Sequence, residues 1–189
     1  MAKNLIHRKK LVIDPELHLV APPSDGTDHW TPPPADHPVY SAVGRISAKW
    51  ARIEDILDLC IGALADIQGP VTSCITAQMM GHTPRCLTIK ALAHWRELPE
   101  IEKDVERLRN ELHEVSELRN RAIHDIFVVQ KSDGALAINH KMSKKELLYG
   151  IKTINVSDLE TIIKQIDARI IKCAALHRKI NDQAIVYFP

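Results

Sequence analysis

Apolar side chains recur every three or four residues through the segment IEKDVERLRNELHEVSELRNRAIHDI, which covers residues 101–126. An α-helix turns by about 100° per residue, so this spacing gathers the apolar side chains on one face. The other faces are densely charged. The pattern predicts a long amphipathic helix that buries Ile101, Val105, Leu108, Leu112, Val115, Leu118, Ala122 and Ile126.

Two further stripes of the same period predict long helices near residues 39–68 and 157–181. The first stripe consists of Ile46, Trp50, Ile53, Leu57, Cys60, Leu64 and Ile67. The last consists of Leu159, Ile162, Ile166, Ile170, Cys173 and Leu176. Ser157 and Glu160 have the spacing of a capping box at the start of this last helix.

Two shorter helices are predicted between the first and second long ones. One has an apolar face made of Val71, Cys74, Ile75 and Met79 and ends at Gly81. The other begins with Thr83 as its cap and Pro84 at its first helical position. It stops near Pro99 and carries Cys86, Leu87, Ile89, Leu92 and Trp95.

The period changes between the last two long helices. The runs IFVVQ and ALAINH flank Asp133-Gly134, which is a strong hairpin pattern, and YGIKTIN could add a third strand. The fold class predicted is all-α: an antiparallel helical bundle over residues 39–189, with a small β-hairpin insertion at about 126–155 before the last long helix. Residues 1–38, rich in proline, are predicted to form an extended N-terminal arm.

Composition and missing motifs exclude several classes of protein. The formal net charge is +1, so any contact with nucleic acid has to be local. The sequence contains no Walker A loop, GxGxxG, GxSxG or HExxH, and no cofactor is predicted. Asp28, His29, Asp36 and His37 lie close together in the arm, but without a cysteine or a regular spacing they are interpreted as a solvated loop. No metal site is predicted.

The cysteines indicate a reducing compartment. Cys60, Cys74, Cys86 and Cys173 form no CxxC pair, and each falls within an apolar helical pattern, so buried free thiols are predicted. The N-terminus lacks the apolar core of a signal peptide, and no apolar run has membrane length. We therefore expect a cytoplasmic protein that does not bind a membrane.

The segment ELRNRAIHD, residues 117–125, places polar groups at the end of the clearest helix. Asn120 and His124 lie four residues apart on one face, with Arg119 and Arg121 beside them. Positive charge at a helix C-terminus is favoured by the helix dipole, so the arginines have a purely structural explanation. The same residues also combine phosphate donors with an imidazole that can exchange a proton near neutral pH.

The order Arg119-Asn120, three residues, His124 resembles the motif of the HEPN superfamily of α-helical domains. In that motif an Arg, often followed by a polar residue, precedes a His by four to six residues. The segment GRISAKWARIEDILDLCIGAL also resembles the first long helix of bacterial HEPN-like proteins, and the resemblance covers roughly residues 39–185. A Gly often follows the family's His, whereas Asp125 follows here. Arg107 and His113 have similar spacing, but Leu108 stands in the polar place.

The resemblance implies a metal-independent endoribonuclease that acts as a homodimer on RNA. His124 would then be general base or acid, Arg119 would bind phosphate, Asn120 would orient His124 or bind phosphate, and Arg121 would contact substrate. Because one imidazole cannot easily make both proton transfers, the His124 of a second copy is expected nearby across a two-fold axis. Such an enzyme could serve in defence or in a toxin–antitoxin system, with an antitoxin or regulatory protein as partner.

The competing interpretation is a non-catalytic HEPN-like binding or dimerisation module. In that case Arg119 would pair with an acid such as Glu117 or Asp125, and His124 would be a structural histidine.

Overall fold

The computed structural model describes residues 31–67, 69–130, 134–143 and 146–184. Three long helices dominate it: α1 (Pro38–Ala65), α4 (Pro99–His124) and α5 (Val156–Ala184). Two shorter helices, α2 (Gly69–Thr76) and α3 (His82–Trp95), connect α1 to α4. The strands β1 (Ile126–Gln130), β2 (Gly134–Ser143) and β3 (Glu146–Thr153) lie between α4 and α5. The predicted all-α bundle is confirmed.

The core lies where α1, α3, α4 and α5 meet, and it is almost entirely aliphatic. Leu112 of α4, predicted to be buried, is fully buried. Other fully buried side chains are Ile46, Ile53, Leu57, Ile61, Leu64, Ile89, Ile101, Leu159, Ile163, Ile166 and Ile180. These residues come largely from the predicted stripes, because a helix in a small bundle is stable only when its apolar face is covered.

Ion pairs between neighbouring helices give the chain directions. Lys179 with Asp104 and Lys172 with Glu111 join α5 to an antiparallel α4. Two ion pairs join α1 to α5: Arg45 with Glu160 at 2.5 Å, and Lys49 with Asp167. The residue later in α1 pairs with the residue later in α5, so these two helices run in the same direction. The long helix α4 is therefore antiparallel to α5, whereas α1 and α5 run parallel.

The β insertion is a three-stranded antiparallel sheet in the order β1-β2-β3, so the third strand suggested by YGIKTIN is present. Gln130 pairs with Gly134 at the end of the first hairpin, and the predicted turn residue Asp133 lies outside the described residues. Thr31 of the arm forms an isolated bridge to Val129, and the Tyr40 hydroxyl donates to the carbonyl of Pro33. The described part of the arm is thus attached to the sheet end of the bundle.

Two predicted helix starts are wrong in detail. The first residue of α3 is His82, and its cap is Gly81 at φ 76°, a conformation that glycine adopts without strain, so Thr83 is not the cap. At the start of α5 the Asn155 backbone N–H donates to the Asp158 carboxylate. The Ser157–Glu160 capping box therefore does not form, and Glu160 bonds to Arg45 instead.

The helix α2 packs with its polar side inward, which reverses the prediction. Thr72 and Thr76 are buried, whereas Val71, Cys74 and Ile75 are exposed. A Cβ added to Gly62 of α1 would lie 2.8 Å from the Thr72 hydroxyl oxygen, so glycine there lets the two helices approach closely. The apolar face of α2 therefore points to solvent, and Met79, predicted to belong to it, lies beyond the end of α2 and packs partly buried against the core.

A buried arginine ties the turn after α2 to α1. The Arg85 Nε donates to the Asp58 carboxylate at 2.7 Å. Its Nη1 donates to the carbonyls of Met79 at 2.6 Å and Gly81 at 2.8 Å. Arg85 thus joins the turn between α2 and α3 to Asp58 of α1.

Within the described residues, none of the helices alone has both the length and the apolar character to cross a bilayer. The pair α1 and α2 meets that criterion only when taken together, and the two are bent by 115°.

Candidate active site at the end of α4

The predicted site residues lie at the C-terminus of α4, next to the sheet. His124 is the last residue of the helix, and it is exposed together with Asn120 and Arg121. Arg119 is half-buried. The backbone N–H of Asp125 donates to the Arg121 carbonyl and closes the final turn. The helix ends here because the chain turns to extended backbone at Asp125.

Arg119 is held between Asn120 and a tryptophan of α1. Its Nη1 donates to the Asn120 side-chain oxygen at 2.9 Å. The guanidinium carbon lies 5.8 Å from the centre of the Trp50 ring, a cation–π contact, and the Trp50 Nε1 in turn donates to Glu54 at 3.2 Å. Within the described residues Arg119 forms no ion pair, and its buried Nε has no hydrogen-bond acceptor.

Asn120 contacts Arg119 and shares one face of α4 with His124. Arg119 and His124 lie about 140° apart around α4, whereas Asn120 and His124 differ by about 40°. The structure therefore brings Arg119 to Asn120, and it places Asn120 and His124 on one exposed face. Arg121 is exposed on the next strip of the surface.

His113, which the Arg-to-His spacing pairs with Arg107, lies on the same face of α4 as Asn120 and His124. Helix geometry keeps all three within about 60° of one another. We call His113, Glu117, Asn120 and His124 the α4 stripe; all four are exposed. Asn120 and His124 follow His113 by seven and eleven residues, and this helical spacing, not the Arg-to-His spacing, is the sequence pattern that indicates the shared face.

Helix α3 covers this face of α4 only as far as His113, which lies beside the first residue of α3. Its residues His94 and Lys90 contact Glu102 and Glu106 in turn. The ring of His82, the first residue of α3, lies 6.5 Å from the ring of His113. Beyond that point the α4 stripe is open to solvent, so a ligand can reach it.

The charged residues of α4 differ in their ion pairing before and after His113. Every acidic and basic residue from Glu100 to Glu111 except Glu102 takes part in an ion pair, and the Glu102 carboxylate lies 3.3 Å from the His94 ring. Among the described residues, no ion pair involves Glu114, Glu117, Arg119 or Arg121. The charged side chains on the open half of α4 are therefore not neutralised by ion pairs within the described part of the chain.

His82 is a buried histidine that stays neutral. It is 7% exposed, and its ring meets the Trp50 ring edge-on at 5.7 Å between centres. Burial, together with the nearby His113 and Arg109, lowers its pKa from the usual 6.5 to about 4. His82 therefore adds no positive charge next to His113 at neutral pH.

This shift predicts a pH dependence of stability. The unfolded chain protonates His82 below pH 6.5, while the folded chain resists protonation until about pH 4. Stability should therefore fall as the pH drops through this window, by about 2 kcal/mol between pH 7 and pH 5. Urea unfolding at the two pH values measures it. His82→Gln should flatten the dependence; an equal loss in that variant would contradict the assignment.

The other spacing match, Arg107, belongs to a different surface. It lines a recess of about 300 Å³ between α4 and α5, on the side of α4 that faces away from Asn120. Lys172 and Lys179 reach across this recess to carboxylates of α4. Arg107 and His113 therefore do not form a joint site.

Neither metal ligation nor thiol chemistry is suggested by the part of the chain that the structure describes. It contains no cluster of three His, Cys, Asp or Glu side chains arranged to hold a metal ion. His37 caps α1 by accepting the Val39 N–H, and Asp28 and His29 lie outside the described residues. Cys60, Cys86 and Cys173 are buried free thiols as predicted, and burial raises their pKa, whereas Cys74 is exposed.

Comparisons with protein-family profiles, characterised proteins and solved structures found no significant match to this chain.

Proposed function

We propose that this protein is a metal-independent endoribonuclease of HEPN type, with its site on the open half of α4. The observation that carries the proposal is the arrangement of three side chains. The Arg119 guanidinium donates to the Asn120 side-chain oxygen, and Asn120 shares an exposed face of α4 with the His124 imidazole. These groups supply phosphate binding and proton transfer, which RNA cleavage by its own 2′-hydroxyl requires.

Each residue has a role in that reaction. His124 exchanges the proton, because its ring is exposed and can reach a bound phosphodiester. Arg119 directs a guanidinium toward the phosphate oxygens and holds Asn120, which orients the substrate or His124. Arg121 contacts the RNA backbone on the neighbouring strip. Single-stranded RNA is the preferred substrate because its backbone can bend so that the 2′-oxygen lines up with the leaving oxygen.

A homodimer is part of this proposal, because one His124 cannot serve as both base and acid. Ile126, 57% exposed directly after α4, adds apolar contact area for a second copy at the end of the proposed site. We also propose a cytoplasmic location, supported by the free thiols of the core. A role in defence or in a toxin–antitoxin system, with an antitoxin or regulatory protein as partner, would follow from uncontrolled RNA cleavage being harmful to the cell.

The second candidate is a non-catalytic binding or dimerisation module. The exposed apolar face of α2, formed by Val71, Cys74 and Ile75, favours it, since such a face is typical of a protein-binding surface. Arg119 resting on Trp50 is also compatible with a structural role.

RNA cleavage in excess EDTA separates the two candidates. Purified protein should cut single-stranded RNA at an undiminished rate when all divalent ions are chelated, because no metal ligand is among the proposed groups. RNAs of several sequences and folds should be tested. If none is cut, with or without EDTA, the enzyme proposal fails and the module is preferred.

A further inference from the structure

We propose that His113 is the second proton-transfer residue of the site and that it acts together with the partner's His124. The inference rests on the proposed ribonuclease function and names the residue that completes it. Two identical composite sites would then flank the two-fold axis of the dimer, each with one histidine from either copy.

The first support is that the α4 stripe has histidines at both ends. His113 and His124 lie about 16 Å apart along the axis and about 20° apart around it. That distance is too long for both rings of one chain to reach the same phosphate. The two rings can meet only if a second copy turns its stripe the opposite way.

An antiparallel pairing with the two-fold axis between Leu118 and Arg119 brings them together. In this register His113 lies opposite the partner's His124, and Glu117 lies opposite the partner's Asn120 and next to the partner's Arg121. Glu117 and Arg121 are exposed and form no ion pair among the described residues, so the pairing joins unpaired opposite charges. The same surface on both copies is self-complementary, as a two-fold interface requires.

In the alternative dimer His124 faces the partner's His124, and a shorter part of α4 is in contact with the partner. It requires an axis at His124, where α4 ends and the chain turns to extended backbone at Asp125. Only the last turn of each helix would then be in contact. An axis at Leu118 uses the whole open half of α4, from the end of α3 to the sheet.

The two imidazoles together can then make both proton transfers of the reaction. One neutral imidazole takes the proton of the 2′-hydroxyl as its oxygen attacks phosphorus. The bond from phosphorus to the 5′-oxygen breaks, and the protonated imidazole of the other copy gives its proton to that oxygen. The products are a 2′,3′-cyclic phosphate and a free 5′-hydroxyl, and proton exchange with water resets both rings. The buried His82 ring, 6.5 Å from the His113 ring, is neutral and brings no positive charge to this site.

A heterodimer of two inactive variants tests the pairing. His113→Ala and His124→Ala should each lose cleavage as homodimers, while circular dichroism stays helical; His113→Gln serves as a second variant. Differently tagged copies of His113→Ala and His124→Ala, co-expressed and purified through both tags, should regain about half the wild-type rate, because one of the two composite sites is then intact.

Each failure has its own meaning. A fully active His113→Ala protein overturns the role of His113 while leaving the ribonuclease proposal standing. A heterodimer that stays inactive overturns the pairing with the partner's His124. A monomer by light scattering, in a wild type that cuts RNA, overturns the composite site. A wild type that cuts no RNA removes the proposed function itself.

Discussion

His124→Ala should lower the rate of RNA cleavage by about 10²–10⁴-fold, the usual loss when a proton-transfer group is removed. The side chain is exposed at the helix end, so the folded state should keep its stability. Arg119→Met, which keeps an apolar stem against Trp50 but removes the guanidinium, should cost about 10²–10³-fold through lost charge stabilisation. Initial rates on a labelled single-stranded RNA measure both.

The matched control for these variants is His94→Ala. His94 is also a helical histidine, its side chain is 82% exposed, and it lies near the far end of α3. The proposed site does not use it, so its removal should leave the rate unchanged. If His124→Ala cuts RNA as fast as this control, the assignment of the site to the end of α4 is wrong.

Arg85→Met should destabilise the fold by about 3–5 kcal/mol, the range for breaking a buried ion pair. The substitution would leave the Asp58 carboxylate without its partner and would remove the side-chain hydrogen bonds to the carbonyls of Met79 and Gly81. Urea unfolding followed by circular dichroism gives the loss.

A surface pair provides the comparison. Arg52 and Asp55 form an ion pair on α1, with side chains 59% and 54% exposed. Arg52→Met should therefore cost at most about 1 kcal/mol. Equal effects of Arg52→Met and Arg85→Met would show that the buried network does not hold the turn after α2. Asp58→Leu combined with Arg85→Met should recover part of the loss, because no unpaired charge then remains buried.

The long helices could be predicted from the sequence because each buries a broad apolar stripe. The period of Ile101, Leu108 and Leu112 alone identifies the buried face of α4, and all three are buried. The short helix α2 was predicted with the wrong face inward. Periodicity shows that Val71 and Ile75 share a face, but the close approach of Thr72 to Gly62 decides which face packs, and that contact depends on tertiary structure.

The candidate site could be predicted only in part for the same reason. The positions of Arg119, Asn120 and His124 at the end of a helix follow from sequence alone. The contact of Arg119 with Trp50 depends on how α1 packs against α4, and the exposure of His113 depends on α3 beginning at His82. The spacing of residues within one helix shows neither how α1 packs nor where α3 lies, so His113 could not be predicted as part of the site.

The central claim is that the end of α4 cleaves RNA through the substrate's own 2′-hydroxyl, using only protein side chains. A DNA oligonucleotide with a single ribonucleotide, incubated with the wild-type protein in excess EDTA, tests it most directly. We predict cleavage only at the 3′ side of the ribonucleotide, a 2′,3′-cyclic phosphate on the upstream product, and no cleavage of the all-DNA oligonucleotide. Cleavage of the all-DNA strand, or an intact chimera under conditions in which single-stranded RNA is cut, would contradict the account.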